Sequence, residues 1–230
     1  MPKNAMIFAA GFGTRMGAMT KTRPKPMIEV AGRPLIDHAL AFLDQPAIGN
    51  VVINTHYLAE QLEQHLDKYP NVTTIREEPE ILETGGGLRN ALPVLGHAPV
   101  FTLNSDIIWP NGNPIEAMNA LWDPNKMDGL LAVIPVSRAT GYTGPADFKL
   151  ENDGRISRGA NAEFLYTGIQ IINTEGLAEF SEVKFSINLL WDKMITEQRL
   201  FGFLFDGDWV DVGKPEGITL AQDALKAANG

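Results

Sequence analysis

The chain holds 230 residues, 44% of them hydrophobic, and its 28 acidic against 19 basic side chains leave a net charge of −9. Such an acidic balance argues against a nucleic-acid partner, whose phosphate backbone is met by a surplus of Lys and Arg, and no apolar stretch is long enough to span a membrane. With no cysteine, disulfides and thiolate metal sites are excluded, and with no apolar signal segment ahead of the first strand a reducing cytoplasm is the expected location.

Met6 to Ala10 reads as a short buried strand running into a turn through Gly11 and Gly13. Arg15, Lys21, Arg23 and Lys25 follow, and the first acidic residue of the chain is Glu29. In so acidic a protein, cations gathered after a glycine turn mark an anion site, because residues without a Cβ let backbone N–H groups close on phosphate oxygens. A plain strand-to-helix turn with basic neighbours fits the same residues. The spacing is G-x-G-x-x-x-G through Gly17, and the next apolar strand, Val51 to Asn54, ends without an Asp or Glu to hold a ribose, which disfavours a dinucleotide site. No G-x-x-x-x-G-K-[ST] occurs, which disfavours a P-loop.

Pro34 sits at the first turn of a helix whose Leu35, Ala39, Leu40 and Leu43 share one face; Leu58, Leu62 and Leu66 mark a second helix, and Val72 to Ile75 a third strand. This β-α-β-α-β alternation predicts a parallel sheet with right-handed crossovers and a ligand crevice at the carboxyl ends of its strands, where Gly11 lies. The acidic, proline-containing run from Arg76 to Glu80 reads as a solvated loop. Gly85, Gly86 and Gly87 precede a helix through Leu88, Ala91 and Leu92, and either let a flat base approach the backbone or make a flexible turn. Pro99 to Leu103 is a fourth buried strand that delivers Asn104, Ser105 and Asp106 to the same edge. A carboxylate there suits Mg²⁺, which takes one or two carboxylates together with phosphate oxygens, and equally suits a turn cap.

Farther along, the pattern predicts a helix over Asn113 to Trp122, a central strand over Gly129 to Val136, and a hairpin in which Asp147 to Glu151 and Arg155 to Ser157 flank Asn152-Asp153-Gly154. Apolar patterning resumes from Phe164 to Ile172. A helix over Ser186 to Gln198, a strand over Leu200 to Phe205 and the segment Asp208 to Gly213 follow, with Asp211 alternating onto the side of Trp209 and Asp208 serving a turn. A last helix runs from Pro215 to near Ala228. His38, His56, His65 and His97 lack metal-ligand spacing, and there is neither a serine nucleophile elbow nor a Cys-His pair, so no covalent intermediate is suggested.

Ala9-Ala10-Gly11-Phe12-Gly13-Thr14-Arg15-Met16 with Pro24-Lys25-Pro26 resembles the signature loop of the sugar-1-phosphate nucleotidyltransferases. Glu83 to Gly87, Asn104 to Asp106, Tyr166 to Ile169 and Trp209 to Gly213 extend the resemblance, in order, over nearly the whole chain. It implies a Rossmann-like three-layer α/β/α sandwich with a mostly parallel central sheet and a small hairpin-bearing sugar-binding insertion. One domain over residues 1–230 is expected, with a nucleotide-binding part to near residue 110, a sugar-binding part over residues 111–213 and a closing helix over 215–228.

By resemblance, Ala9, Ala10, Gly11, Gly13, Thr14, Arg15, Gly85 and Gly86 serve the nucleotide. Asn104, Asp147, Thr167 and Gly168 serve the sugar, Asp106 and Asp211 hold Mg²⁺, and Arg15, Lys25, Asp106 and Asp211 carry catalysis. Ser105 and Ala146 depart from the family pattern, which usually has Gly at the first position and often at the second. The implied reaction is in-line attack of a sugar 1-phosphate oxygen on the α-phosphorus of a nucleoside triphosphate, with release of pyrophosphate. Glu83 to Gly87, the Trp209 to Gly213 ending and the short chain look most like the members that use UTP and N-acetylmuramate 1-phosphate in bacterial cell-wall recycling; Arg89 and Arg138 are candidates for that sugar's lactyl carboxylate. Guanylyl or thymidylyl transfer to mannose or glucose 1-phosphate is the alternative. A glycosyltransferase would carry Asp-x-Asp where this chain has Asn104-Ser105-Asp106, and a nucleotide sensor without turnover would not need Asp211. The expected partners are therefore small molecules, neither nucleic acid nor membrane.

Overall fold

The structure, a computed structural model, describes residues 1–229. The chain opens with β1 (Asn4–Phe8), and two 3₁₀ segments, Thr14–Thr20 and Lys25–Met27, carry the cationic stretch. A short ribbon of β2 (Glu29–Val30) and β3 (Arg33–Pro34) leads into α1 (Leu35–Leu43), β4 (Asn50–Thr55), α2 (Ala59–Leu66) and β5 (Val72–Arg76). Then come α3 (Glu83–Leu95), β6 (Val100–Asn104), β7 (Ile107–Ile108), α4 (Pro114–Leu121) and β8 (Gly129–Pro135). The hairpin β9 (Lys149–Leu150) and β10 (Ile156–Ser157) is followed by β11 (Phe164–Ile172), α5 (Asn188–Thr196), β12 (Leu200–Leu204), β13 (Val210–Asp211) and α6 (Pro215–Asn229).

Seven strands form one sheet in the order β12-β8-β11-β6-β1-β4-β5. Every neighbouring pair is parallel except those of β11, which runs antiparallel to β6 and β8. Strand alternation sends successive side chains to opposite faces and builds two cores. Ile7, Ile53 and Phe101 pack with α1, α2 and α4 on one face. Met6, Val52 and Val100 pack with α3 and α5 on the other. Each fully buried aliphatic side chain contributes on the order of 1.5–3 kcal/mol, so the three-layer arrangement follows from the alternation itself. It is the expected Rossmann-like sandwich.

The chain lays β1, β4 and β5 outward in one direction, then returns to set β6 on the other side of β1. A crevice opens where strand order reverses in this way. The register pairs Phe8 with Asn104, so the segments beginning at Ala9 and Ser105 diverge side by side from the sheet.

Three local expectations need correction. The first strand ends at Phe8 instead of Ala10, because the Ala9 N–H leaves the ladder to donate to Asn54 Oδ1 at 2.8 Å. Glu77, within the run expected to be solvated, is only 1% exposed. Gly85, Gly86 and Gly87 lie inside the first turns of α3 instead of ahead of it. The hairpin forms as expected, and Phe148 bridges it to Phe164 of β11.

Candidate active site

A cavity of about 340 Å³ lies over the carboxyl ends of β1 and β6. Ala9, Ala10, Gly11, Gly13, Thr14 and Arg15 line it from the loop after β1, and Asn104, Ser105 and Asp106 from the loop after β6. Lys25 completes that wall. The loop can lie so close because Gly13 takes φ +63, and a Cβ there would stand 2.8 Å from Lys25 Cβ and 2.9 Å from Thr20 Cγ2. Thr20 fastens it by donating to the Gly13 carbonyl at 3.1 Å. Gly11 has no atom within 4 Å of where its Cβ would be, so its backbone stays open to an occupant.

Pro24 and Pro26 stiffen the backbone on either side of Lys25, which is itself buried. Its ammonium reaches Asp106 Oδ2 at 2.6 Å. Lys21 and Arg23 stand exposed and outside this lining, so only Arg15 and Lys25 of the cationic stretch reach the cavity.

The second carboxylate arrives from the far end of the chain. β13 pairs antiparallel with β7, Asp211 opposite Ile107, and Val212 N–H donates to the Asp106 carbonyl at 3.0 Å. A Cβ on Gly213 would stand 2.9 Å from both Asp211 carboxylate oxygens and 3.2 Å from Arg15 Nη1, so these groups close around that glycine. Burial first, and then the negative charge of Asp106, hold the Asp211 carboxyl above the usual carboxylate range, against the pull of Lys25, Arg15 and the Gly213 N–H. Asp106 lines the cavity and Asp211 stands behind Gly213, which lines it in turn; two mutually repelling carboxylates so placed suit Mg²⁺, which takes one or two carboxylates with phosphate oxygens and water. Among the described residues no group of three or more His, Cys, Asp or Glu forms an all-protein metal cage. The four histidines take other parts; His65, for example, pairs with Asp37 at 2.6 Å.

On the side expected to hold the sugar, Gly168 packs at φ +88 where a Cβ would stand 3.2 Å from Asn104 Cβ, and so backs Asn104 in the cavity wall. Thr167 does not face the cavity: it is fully buried, donates its hydroxyl to the Ala132 carbonyl at 2.8 Å, and gives its own carbonyl to Trp209 Nε1 at 2.7 Å. Asp147 accepts the Tyr166 N–H at 3.0 Å and lies outside this cavity. Burial raises its carboxyl, the Tyr166 N–H and then Arg158 opposing. Tyr142 joins the two regions, its phenol raised by burial and then by the charges of Asp147 and Asp211. Arg89 donates to the Phe180 and Glu182 carbonyls and stacks on Phe185, and Arg138 holds Asp206 and Gly207, so both candidates for a lactyl carboxylate are committed elsewhere. Asp208 exchanges hydrogen bonds with Asn111, a turn role as expected.

Gly85 and Gly86 are likewise outside the cavity lining. Both N–H groups donate to the Phe185 carbonyl, at 2.9 and 3.0 Å, and their missing side chains make room for the Phe185 ring and the Val183 carbonyl. The wall on that side is instead Asn54, Ile81, Glu83 and Thr84. Sequence offered a signal for Asn54, a polar residue ending an apolar strand just as Asn104 does, and Glu83 opens a motif of the resemblance, but nothing in the sequence foretold that it holds φ +61 at the cavity's edge. Left-handed backbone in a non-glycine residue is often found where a ligand is gripped.

Residues 5–145 match the MobA-like NTP transferase domain. The chain is 37% identical over 99% of its length, and 98% of the relative's, to N-acetylmuramate alpha-1-phosphate uridylyltransferase of Caulobacter vibrioides. It is 31% identical to mannose-1-phosphate guanyltransferase of Schizosaccharomyces pombe, over 92% of this chain and 61% of that one. Among solved structures, UDP-glucose pyrophosphorylase complexed with UDP-glucose superposes with a TM-score of 0.79 at 20% identity, covering 99% of both chains. A second, HddC from Yersinia pseudotuberculosis, gives 0.77 at 21% identity over 96% of this chain and 98% of that one. With a family model spanning well over half of its residues and a full-length relative of this similarity, the chain belongs to the MobA-like NTP transferases.

Proposed function

We propose that this protein transfers a uridylyl group from UTP to N-acetylmuramate 1-phosphate, releasing pyrophosphate. The observation that carries the reading is the meeting of Lys25, Asp106, Asp211 and Arg15 at the point where strand order reverses. Support for the substrates comes from the relatives at 37% and 32% identity, both named N-acetylmuramate alpha-1-phosphate uridylyltransferase, of which the chain covers nearly the whole length.

Both reactants are polyanions, so the chief obstacle is their repulsion and misorientation, not a proton transfer. An oxygen of the sugar phosphate attacks the α-phosphorus in line, and the bond to the bridging oxygen of the leaving pyrophosphate breaks. Lys25, now on Asp106, is within reach of a phosphate oxygen entering the cavity and can share its charge with it. Arg15 offers a planar fork of donors to the pyrophosphate side. Asp106 and Asp211 would hold Mg²⁺, which supplies charge neutralisation between the two phosphates. Ser105, where the family pattern usually has Gly, lines the same cavity beside Asp106.

The test is pyrophosphate release from UTP, GTP and dTTP, each crossed with N-acetylmuramate, mannose and glucose 1-phosphates. The proposal expects UTP with N-acetylmuramate 1-phosphate to give the highest kcat/KM. A faster GTP and mannose 1-phosphate pair would replace the substrates named here, and no release from any pair would remove the reaction itself.

A further inference from the structure

Glu77 poses a question of chemistry: a carboxylate 1% exposed is costly unless its oxygens are met by donors. They are met, and by groups that lead to two different walls of the cavity. Oε2 accepts the Leu82 N–H at 2.7 Å, within the Ile81 to Thr84 wall. Oε1 accepts Asn54 Nδ2 at 2.8 Å, and Asn54 Oδ1 in turn accepts the Ala9 N–H at 2.8 Å, in the opposite wall. The backbone of Glu77 is fixed as well, its N–H on the Thr55 carbonyl at 2.8 Å and its carbonyl against His56 Nδ1 at 2.8 Å. Room for the carboxylate comes from Gly87 of α3, where a Cβ would stand 2.7 Å from Oε1 and 3.1 Å from Asn54 Nδ2.

The two walls joined in this way are the segment after β1 and the segment leading into α3, both of which line the cavity. Arg15, Lys25 and Asp106 line the cavity from the segments after β1 and β6, whereas Phe8, Asn54, Ile81 and Thr84, with Glu83 the one charged side chain among them, offer a partly apolar slot. A flat, uncharged base suits that slot. From this geometry we infer that Glu77 is a positioning residue for the nucleoside: a buried clasp that fixes the spacing of the Ala9 and Leu82 backbones and so sets affinity for, and choice among, nucleoside triphosphates. The inference rests on the nucleotidyl-transfer reading given above. Glu77 does not line the cavity, and its effect passes through Asn54 and Leu82.

Glu77→Gln tests it, because the amide keeps size and shape but turns one acceptor into a donor that faces either the Leu82 N–H or the Asn54 amide. With the far-UV circular dichroism unchanged, KM for UTP should rise about five- to twentyfold, as befits one lost buried hydrogen bond. The kcat should stay within about threefold and KM for the sugar 1-phosphate should not move. Discrimination of UTP from GTP and dTTP should narrow, and UTP binding measured by calorimetry without sugar phosphate should weaken in parallel. Should Glu77→Gln not fold, Gly87→Ala presses on the same carboxylate from α3, and the same five quantities are read. If only Tm falls, with KM for UTP and base selectivity unchanged, or if both KM values rise together, the clasp is merely structural and the inference is overturned. An inactive wild-type protein in the substrate grid would instead overturn the reaction on which the inference rests.

Discussion

At the scale of single residues, the cavity is a balance of charges that leave one another unsatisfied. Lys25 neutralises Asp106, but among the described residues no side chain of opposite charge is paired with Asp211, and its carboxyl sits above the usual range through burial and through Asp106. Removing Lys25 takes a positioned cation from the phosphates. Lys25→Ala should therefore lower kcat by about two or more powers of ten with Tm little changed, and near-normal turnover would refute its role. Asp211→Asn should behave differently. A carboxyl whose folded pKa is raised contributes stability below its unfolded pKa and loses it as pH rises through the folded value, so at neutral pH the ionised group is a net cost to the fold. Thermal melts in metal-free buffer at pH 7.5 should show Asp211→Asn about 1–3 °C above the parent, the gain vanishing below the ordinary carboxylate range, while turnover is lost. A lower Tm at neutral pH would count against the like-charge account.

At the scale of elements, α3 shows where sequence stops being informative. Its existence and its Leu88, Ala91 and Leu92 face are legible from periodicity, as are nearly all the strands and helices, since period and turn residues are local properties. What the glycines at its start face is not local. A triple glycine reads the same whether a ligand or a neighbouring segment fills the space, and here Phe185, Val183 and the Glu77 carboxylate fill it. Glu77 was hidden for the same reason, because an acidic run next to proline looks solvated unless one knows that Gly87 and Asn54 make a berth for it. Thr167, too, was legible as part of a motif but not as a residue turned to Ala132. Helix propensity alone favours Gly85→Ala by about 1 kcal/mol, but the added methyl would meet the Phe185 ring, and overpacking costs about 1–3 kcal/mol. The clash should win, and Gly85→Ala should melt about 2–6 °C below the parent. A higher Tm would mean the 180–187 segment yields easily and does not hold this end of α3.

At the scale of the whole molecule, the crevice at the strand ends follows from the opening β-α-β alternation, but the insertion of β11 between β6 and β8 does not, because strand order is decided by contacts distant in sequence. The same holds for the means by which the first loop and the last strand meet. A third buried cluster joins Met16 of the cationic stretch, Val30 and Leu35 beyond it, Ile108 of β7, and Val210 and Val212 on either side of Asp211, all beneath Ala221 of α6. Arg15 and Asp211 each adjoin a member of that cluster in sequence, so its packing sets the position of both. Ala221→Asp would plant a charge at a site with no exposure, a change that costs about 3–5 kcal/mol and roughly 6–15 °C in Tm. Leu66→Ala in α2 would remove a comparable 2–5 kcal/mol or so from a different buried cluster, the one packed under α1, α2 and α4. Measured at 25 °C, where both variants remain folded by circular dichroism, Ala221→Asp should lose most of its affinity for UTP and its turnover, and its thermal inactivation should precede unfolding. Leu66→Ala should keep both close to the parent values until its lower Tm is reached. If the two variants lost activity in step with their Tm, the cluster under α6 would be one more part of the general core, and the alignment of Arg15 with Asp211 would need another cause.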